Sequence, residues 1–124
     1  MTDFKILDSS IWIAYLFNGN FKEIIDIDEQ LFLSAVSFFE IKTKLLKKKM
    51  EKNEINSKMN FIKKKSIILS IDEKIAEKAS EFSVDKNIPA IDSLIYATSI
   101  INKIRLITAD NDFRNLENAE VLNL

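Results

Sequence analysis

Short apolar runs alternate along the chain with longer stretches whose apolar residues recur at helical spacing. Phe4 to Leu7 is short and largely apolar, and it ends in Asp8-Ser9-Ser10 before the apolar-rich run Ile11 to Phe17. That order predicts a buried strand feeding a helix, with Ser9 or Ser10 as its N-cap. Asn18-Gly19-Asn20 stops this helix, Phe21 to Glu29 predicts a second short one, and Leu31-Phe32-Leu33 predicts a second buried strand leading into a helix from about Val36. Between Val36 and Lys65, the spacing of Phe38, Ile41 and Leu45, then of Ile55, Met59 and Ile62, predicts two helices that break near Asn53 to Asn56. Ile67-Ile68-Leu69 predicts a third strand, followed by a helix over Asp72 to Lys86 with Ile75, Ala79 and Phe82 on one face. A further helix runs from about Ala90 to Ile101. Arg105 to Thr108 is a fourth strand, Asp112 to Leu116 a short helical turn and Val121 to Leu124 a candidate fifth strand.

Strands that alternate with helices over the whole chain predict an α/β fold: a central, mainly parallel sheet of four to five strands, flanked by helices and joined by right-handed crossovers. With 124 residues the chain suits one domain, 1–124, and leaves no room for a second. A single Gly and a single Pro argue against a turn-rich β-sandwich, and 47% hydrophobic residues argue against disorder. Ligands of such sheets sit outside the carboxyl ends of the strands, where strand order reverses, so the residues just after each strand are the first candidates for chemistry.

The composition narrows that chemistry. Cys and His are both absent, which excludes disulfides, thiol nucleophiles, an imidazole base and the usual zinc sites. Carboxylates, hydroxyls, lysine or a hard metal ion remain. The start MTDFKILDSS lacks the features of a signal peptide and no stretch approaches a membrane span of roughly 18 apolar residues, so the expectation is a soluble cytoplasmic protein with no membrane partner. Charge is polarised: Lys42 to Lys65 holds ten lysines against Glu51 and Glu54, a net of +8, which leaves −9 for the rest of a chain whose total is −1. This arm reads either as a solvated helical face or as a surface that attracts phosphates or an acidic partner.

Five acids stand out. Asp8 follows the first strand, and Asp110 and Asp112 follow the fourth; parallel strands bring both ends to one edge of the sheet. Asp8 also fits a turn or capping carboxylate, and Asp112 fits the N-cap of Phe113 to Leu116. Asp92 lies in the first turn of a helix that is apolar almost all round, where an unpaired charge is costly to bury, so it needs a partner unless it faces solvent. Glu40 completes Ser37-Phe38-Phe39-Glu40, an S-x-x-E capping box, and stands four residues before Lys44, although it can equally present a polar helix face to a cleft. If these acids converge, like charges raise one another's pKa and the cluster is tolerable ionised only around a cation. Oxygen ligands select Mg²⁺ or Mn²⁺, which is equipment for phosphodiester hydrolysis.

The segments ILDSSIWIAYL, SAVSFFEIKTKL, IPAIDSLIYATSI and RLITADNDF, in this order from Ile6 to Phe113, resemble the four acidic motifs of the PIN-domain ribonucleases, most of all the small VapC-type toxins of toxin–antitoxin pairs. The resemblance implies a PIN-like fold and a Mg²⁺- or Mn²⁺-dependent endoribonuclease, often a homodimer, silenced by a cognate antitoxin whose tail occupies the cleft. It implies Asp8, Glu40, Asp92 and Asp110 as the acidic quartet, with Asp112 as an auxiliary acid and Ser10 and Thr108 as supporting hydroxyls. Asp8 and Asp92 would be the main metal ligands, Asp110 would complete the site and Glu40 would orient or deprotonate the attacking water. Which of Asp110 and Asp112 is closer to the metal stays open. The lysine arm would lie beside the acids, near RNA phosphates. Trp12, Tyr15 and Phe17 are expected mostly in the core, with a dimer or antitoxin contact as the second reading.

Two rival readings belong to other classes. A phosphoacceptor receiver module has a similar size and an acidic pocket, but it needs paired acids after the first strand, an acceptor Asp after the third and a Lys after the fifth; this chain has Ser9, Ser70 and no Lys at those places. A catalytically silent RNA- or protein-binding module on the same fold is separated from a nuclease by a turnover assay.

Overall fold

A computed structural model describes residues 3–124. In chain order the elements are β1 (Lys5–Leu7), α1 (Ser9–Asn18), α2 (Lys22–Ile25), β2 (Leu31–Ser34), α3 (Ala35–Lys47), α4 (Lys52–Lys65), β3 (Ser66–Leu69), α5 (Glu73–Asp85), α6 (Ala90–Asn102), β4 (Arg105–Thr108), a 3₁₀ turn (Asn111–Phe113) and β5 (Ala119–Val121). The five strands form one sheet in the order β3-β2-β1-β4-β5, and every pairing is parallel. From β1 the chain first builds outward through β2 and β3, then crosses to the other side of β1 for β4 and β5. Strand order therefore reverses between β1 and β4, which opens a crevice at their carboxyl ends.

The two-residue period of a strand divides the core between the two faces of the sheet. Leu7, Leu31, Leu33 and Ile107 point to one side, where they pack with Ile11 and Trp12 of α1, Ile41 and Leu45 of α3, and Ile55, Met59 and Ile62 of α4. Ile6 and Leu106 point to the other side, against Ile95 and Tyr96 of α6 and Phe113. Because β1 and β4 are covered on both faces, each carries two adjacent buried apolar residues, Ile6 with Leu7 and Leu106 with Ile107. Leu33→Ala, at a fully buried site, is expected to cost about 3 kcal/mol, within the range for large-to-small core changes. Val84→Ala, at a side chain 82% exposed, should stay within about 0.5 kcal/mol. Urea midpoints of the two variants check the contrast.

Several boundaries differ from the sequence expectation, each for a local reason. The helix expected over Phe21 to Glu29 is a single turn, Lys22–Ile25, entered by Phe21 in the left-handed region. The long lysine-rich stretch breaks at residues 48–51 rather than at Asn53 to Asn56, since Lys49 takes a positive φ of 56° and the next helix starts at Lys52. The last strand is Ala119–Val121 and not Val121 to Leu124. Neither Ser9 nor Ser10 is the N-cap of α1; both lie inside its first turn and Asp8 holds the cap position with extended backbone. The helix ends where Gly19, at φ 71°, turns its N–H back to the Tyr15 carbonyl, a left-handed cap that suits a residue without Cβ. Trp12 is fully buried and Tyr15 partly so, whereas Phe17, expected in the core, is 37% exposed near the end of α1.

Candidate active site

The crevice between β1 and β4 is built from chain segments that lie far apart in sequence. Asp8 leaves β1 with its side chain almost fully buried. Its Oδ2 accepts hydrogen bonds from the Ser10 hydroxyl at 2.7 Å and the Thr108 hydroxyl at 2.8 Å. The two hydroxyl oxygens are 3.2 Å apart, but each has one proton and that proton is committed to Asp8. Their lone pairs serve the backbone after β4: Ser10 Oγ accepts from the Ala109 N–H at 2.9 Å and Thr108 Oγ1 from the Asp110 N–H at 3.0 Å. This small network ties the exits of β1 and β4 together. Burial pushes the Asp8 pKa up, and the bonds from Ser10 and Thr108 oppose that rise.

Thr108 is fully buried, and both its roles need the hydroxyl. Thr108→Val keeps the shape but strands the Asp110 N–H and removes one of the two hydroxyl donors to a buried carboxylate. The expected loss is about 1–3 kcal/mol in urea unfolding, whereas Thr108→Ser, which retains the hydroxyl, loses less.

Asp110 follows directly and caps the 3₁₀ turn, its Oδ1 accepting from the Asp112 N–H at 2.9 Å. The capping role considered for Asp112 thus belongs to Asp110, and this turn aims the Asp112 carboxylate back at the cluster. Asp92 enters from the first turn of α6, half-buried, after Pro89 in the cap position. One carboxylate oxygen from each of Asp92, Asp110 and Asp112 lies within 4.8 Å of the other two. Burial first, then the charges of Asp110, Asp8 and Asp112, push the Asp92 pKa up to about 7. The helix dipole favours a charge in this position, but desolvation and three neighbouring carboxylates outweigh it.

Glu40 is also half-buried and lies on α3, where its Oε1 accepts from the Ser9 hydroxyl at 2.9 Å. Burial, and to a smaller extent Asp8 and Asp110, raise its pKa. The capping box read from Ser37 to Glu40 does not form. Ser34, the last residue of β2, caps α3 by accepting from the Val36 N–H, so Ser37 falls inside the helix with a buried hydroxyl that has no partner. No lysine or arginine pairs with Asp8, Glu40, Asp92, Asp110 or Asp112 among the described residues.

The structure thus brings Asp92, Asp110 and Asp112 together as a compact triad, with Asp8 and Glu40 close enough to act on them electrostatically. Asp112, which the family resemblance made an auxiliary acid and left open as the closer metal ligand, contributes an oxygen to this triad; Asp8 is not part of it. Three converging oxygens that repel one another, with no nitrogen or sulfur donor, fit a hard divalent cation. The sequence marks Ser9 only as a helix cap. Its contact with Glu40 spans 31 residues and arises from the packing of α1 on α3, which no local spacing announces. The lysine arm is divided: Lys44 and Lys47 line a cleft with Glu40, while Lys65 donates to the Ile27 carbonyl beside the opposite edge of the sheet.

These features define a class: an all-parallel α/β domain with an acidic, cation-compatible pocket at its topological switch point. The chain matches the model of the PIN domain over residues 5–119 and belongs to that family. No curated protein matches it in sequence. Among solved structures it is similar to a toxin–antitoxin complex from Klebsiella pneumoniae, with a TM-score of 0.81 and 19% identity over 97% of this chain and 99% of that one. It is similar to VapBC2 from Rickettsia felis bound to a DNA fragment from their promoter, with a TM-score of 0.78 and 18% identity over 97% and 98% of the two chains. A third similar structure is VapC20 of Mycobacterium tuberculosis, described as a Sarcin-Ricin loop cleaving toxin, with a TM-score of 0.69 and 16% identity over 88% and 92% of the two chains.

Proposed function

We propose that this PIN-domain chain is a Mg²⁺- or Mn²⁺-dependent endoribonuclease, the toxin of a toxin–antitoxin pair. The observation that carries the reading is the triad of Asp92, Asp110 and Asp112, whose oxygens lie within 4.8 Å of one another with no cationic side chain paired to them. Those three residues would hold the cation, and Asp8 adds negative charge from below. A bound Mg²⁺ or Mn²⁺ would supply Lewis-acid activation of water and neutralise charge on the scissile phosphate. Glu40 is the general base in this scheme. Ser9 fixes its Oε1, which leaves Oε2 to accept a proton from the attacking water, and its raised pKa brings it nearer to a base's working range. Asp8, held by Ser10 and Thr108, keeps the β1 and β4 ends in register so that the triad stays assembled.

A cognate antitoxin, a homodimer and a cytoplasmic setting complete the proposal. The antitoxin is supported by the similarity to toxin–antitoxin complexes; separately, among the described residues no helix is long and apolar enough to cross a membrane. The test is cleavage of a mixed RNA pool by purified protein, with Mg²⁺ or Mn²⁺ against chelator. Cutting that requires the metal is the expected result. Absence of cutting, with metal binding shown on the same sample, would overturn the nuclease and leave a silent binding module.

A further inference from the structure

Phe39 is 66% exposed although it is one of the chain's large apolar side chains, and it stands next to Glu40 on α3. It does not face open solvent on a convex surface. Phe39, Glu40, Thr43, Lys44 and Lys47 of α3 line a cleft of about 320 Å³ whose other wall is Ser9 and Ile13 of α1. That volume lies at the lower end of the range for clefts that take small ligands. Glu40, Lys44 and Lys47 follow one another at i, i+4 and i+7, so one helix face runs from the acidic site to two ammonium groups. Neither Lys44 nor Lys47 has an ion-pair partner among the described residues. An exposed ring, two free cations and an open cleft leading away from a carboxylate cluster match the requirements of single-stranded nucleic acid, in which bases stack on aromatic faces and phosphates seek cations.

Resting on the nuclease reading above, we propose that Phe39 is a stacking platform for an unpaired base adjoining the cleaved bond, and that Lys44 and Lys47 hold the phosphates leading away from it. The charge argues for RNA over an apolar helix of a protein partner, because a dry interface would have to desolvate both ammonium groups without compensation. Phe39 then acts as a positioning residue. Stacking tolerates any base, so it favours unpaired substrate over duplex without dictating sequence.

The experiment uses the full chain and a fluorescein-labelled, mixed-sequence single-stranded RNA of about twelve nucleotides, a length within the usual site sizes for such strands. Anisotropy is measured in chelator, so that binding is read without turnover, and kcat and KM are measured in Mn²⁺. Phe39→Ala is expected to weaken binding about tenfold or more and to raise KM to match, with kcat and thermal midpoint nearly unchanged because the ring supports little of the core. Phe39→Trp should bind like the parent, and its new exposed indole should be quenched by RNA while buried Trp12 is silent. Lys44→Gln and Lys47→Gln should each lower the slope of log affinity against log salt by about 0.7. If the parent cuts RNA but Phe39→Ala binds it equally well, the stacking proposal is overturned and the nuclease reading stands. The same holds if Phe39→Ala alters only sedimentation, which would make this face a contact between copies of the chain. A parent that does not cut RNA in Mn²⁺ brings down the nuclease reading, and the substrate role of Phe39 with it.

Discussion

Asp92→Asn and Asp8→Asn are each expected to reduce metal-dependent RNA cleavage by at least about 10²-fold, a loss in line with removing a group that holds or supports a reacting centre. The two substitutions act differently. Asp92→Asn keeps the volume of the side chain and the start of α6 but takes one of three charges from the triad, so the cation loses affinity directly. Asp8→Asn acts beneath the triad, where Oδ2 of the parent receives the hydroxyls of Ser10 and Thr108. If an amide NH₂ takes that place, both hydroxyls must turn to accept from it, and their own protons lose the carboxylate that received them. Glu120→Gln is the control. Glu120 lies on β5 and pairs with Arg105, at the start of β4 and away from the acids, so activity should be unchanged. Assays with saturating Mn²⁺ and with chelator on the same preparations separate the variants from a contaminating nuclease. Full cutting by Asp92→Asn would remove the triad from the mechanism.

Stability should move in the opposite direction. Asp92 titrates near 7 in the folded chain against an ordinary value of 3.8, so folding favours its protonated form. A raised carboxylate pKa gives stability that is fully present below the unfolded value and is lost as pH rises through the folded one. Metal-free protein should therefore weaken between about pH 4 and pH 7, where Asp92 becomes charged among Asp110, Asp8 and Asp112. An amide in its place cannot ionise. At pH 8 without metal, Asp92→Asn should be more stable than the parent by about 1–2 kcal/mol, less than the full linkage value because the group is half-buried and partly screened. Near pH 4 the two should coincide. Millimolar Mg²⁺ or Mn²⁺ should stabilise the parent at pH 8, by about 2.7 kcal/mol at a hundredfold excess over Kd, and so raise its melting temperature, while Asp92→Asn gains little. Melting curves at pH 4 and pH 8, with and without metal, check all four corners. A parent whose melting temperature is flat across them would rule out a charge-strained site.

Much of the site is legible in the sequence because its parts are local. A polar residue just after an apolar run marks a strand end, and that signal finds Asp8 and Asp110. Asp92 stands out as a charge in the first turn of an apolar helix. Glu40 is different, since the S-x-x-E spacing from Ser37 gives its carboxylate a capping role of its own. The structure starts α3 three residues earlier, at the Ser34 cap, and leaves Glu40 free for Ser9. Ser9, Phe39 and the division of the lysine arm depend on which helix lies beside which, a matter of side-chain packing between segments far apart in the chain. Turn boundaries shift where non-glycine residues adopt positive φ, as at Phe21 and Lys49, because no local propensity favours that conformation for them.

The succession of strands and helices, the two-faced burial of β1 and β4, the absence of imidazole and thiol chemistry, and the placing of acids at strand ends all come from the amino-acid sequence alone. Each follows from the identity or periodicity of neighbouring residues, and so is written within a window of a few turns. The strand order β3-β2-β1-β4-β5, the joining of Asp92 to Asp110 and Asp112, and the raised pKa of Asp92 exist only in the folded chain. Those depend on crossovers and on the desolvation of charges brought together from distant segments. Their energies arise only once the sheet has closed the gap between β1 and β4.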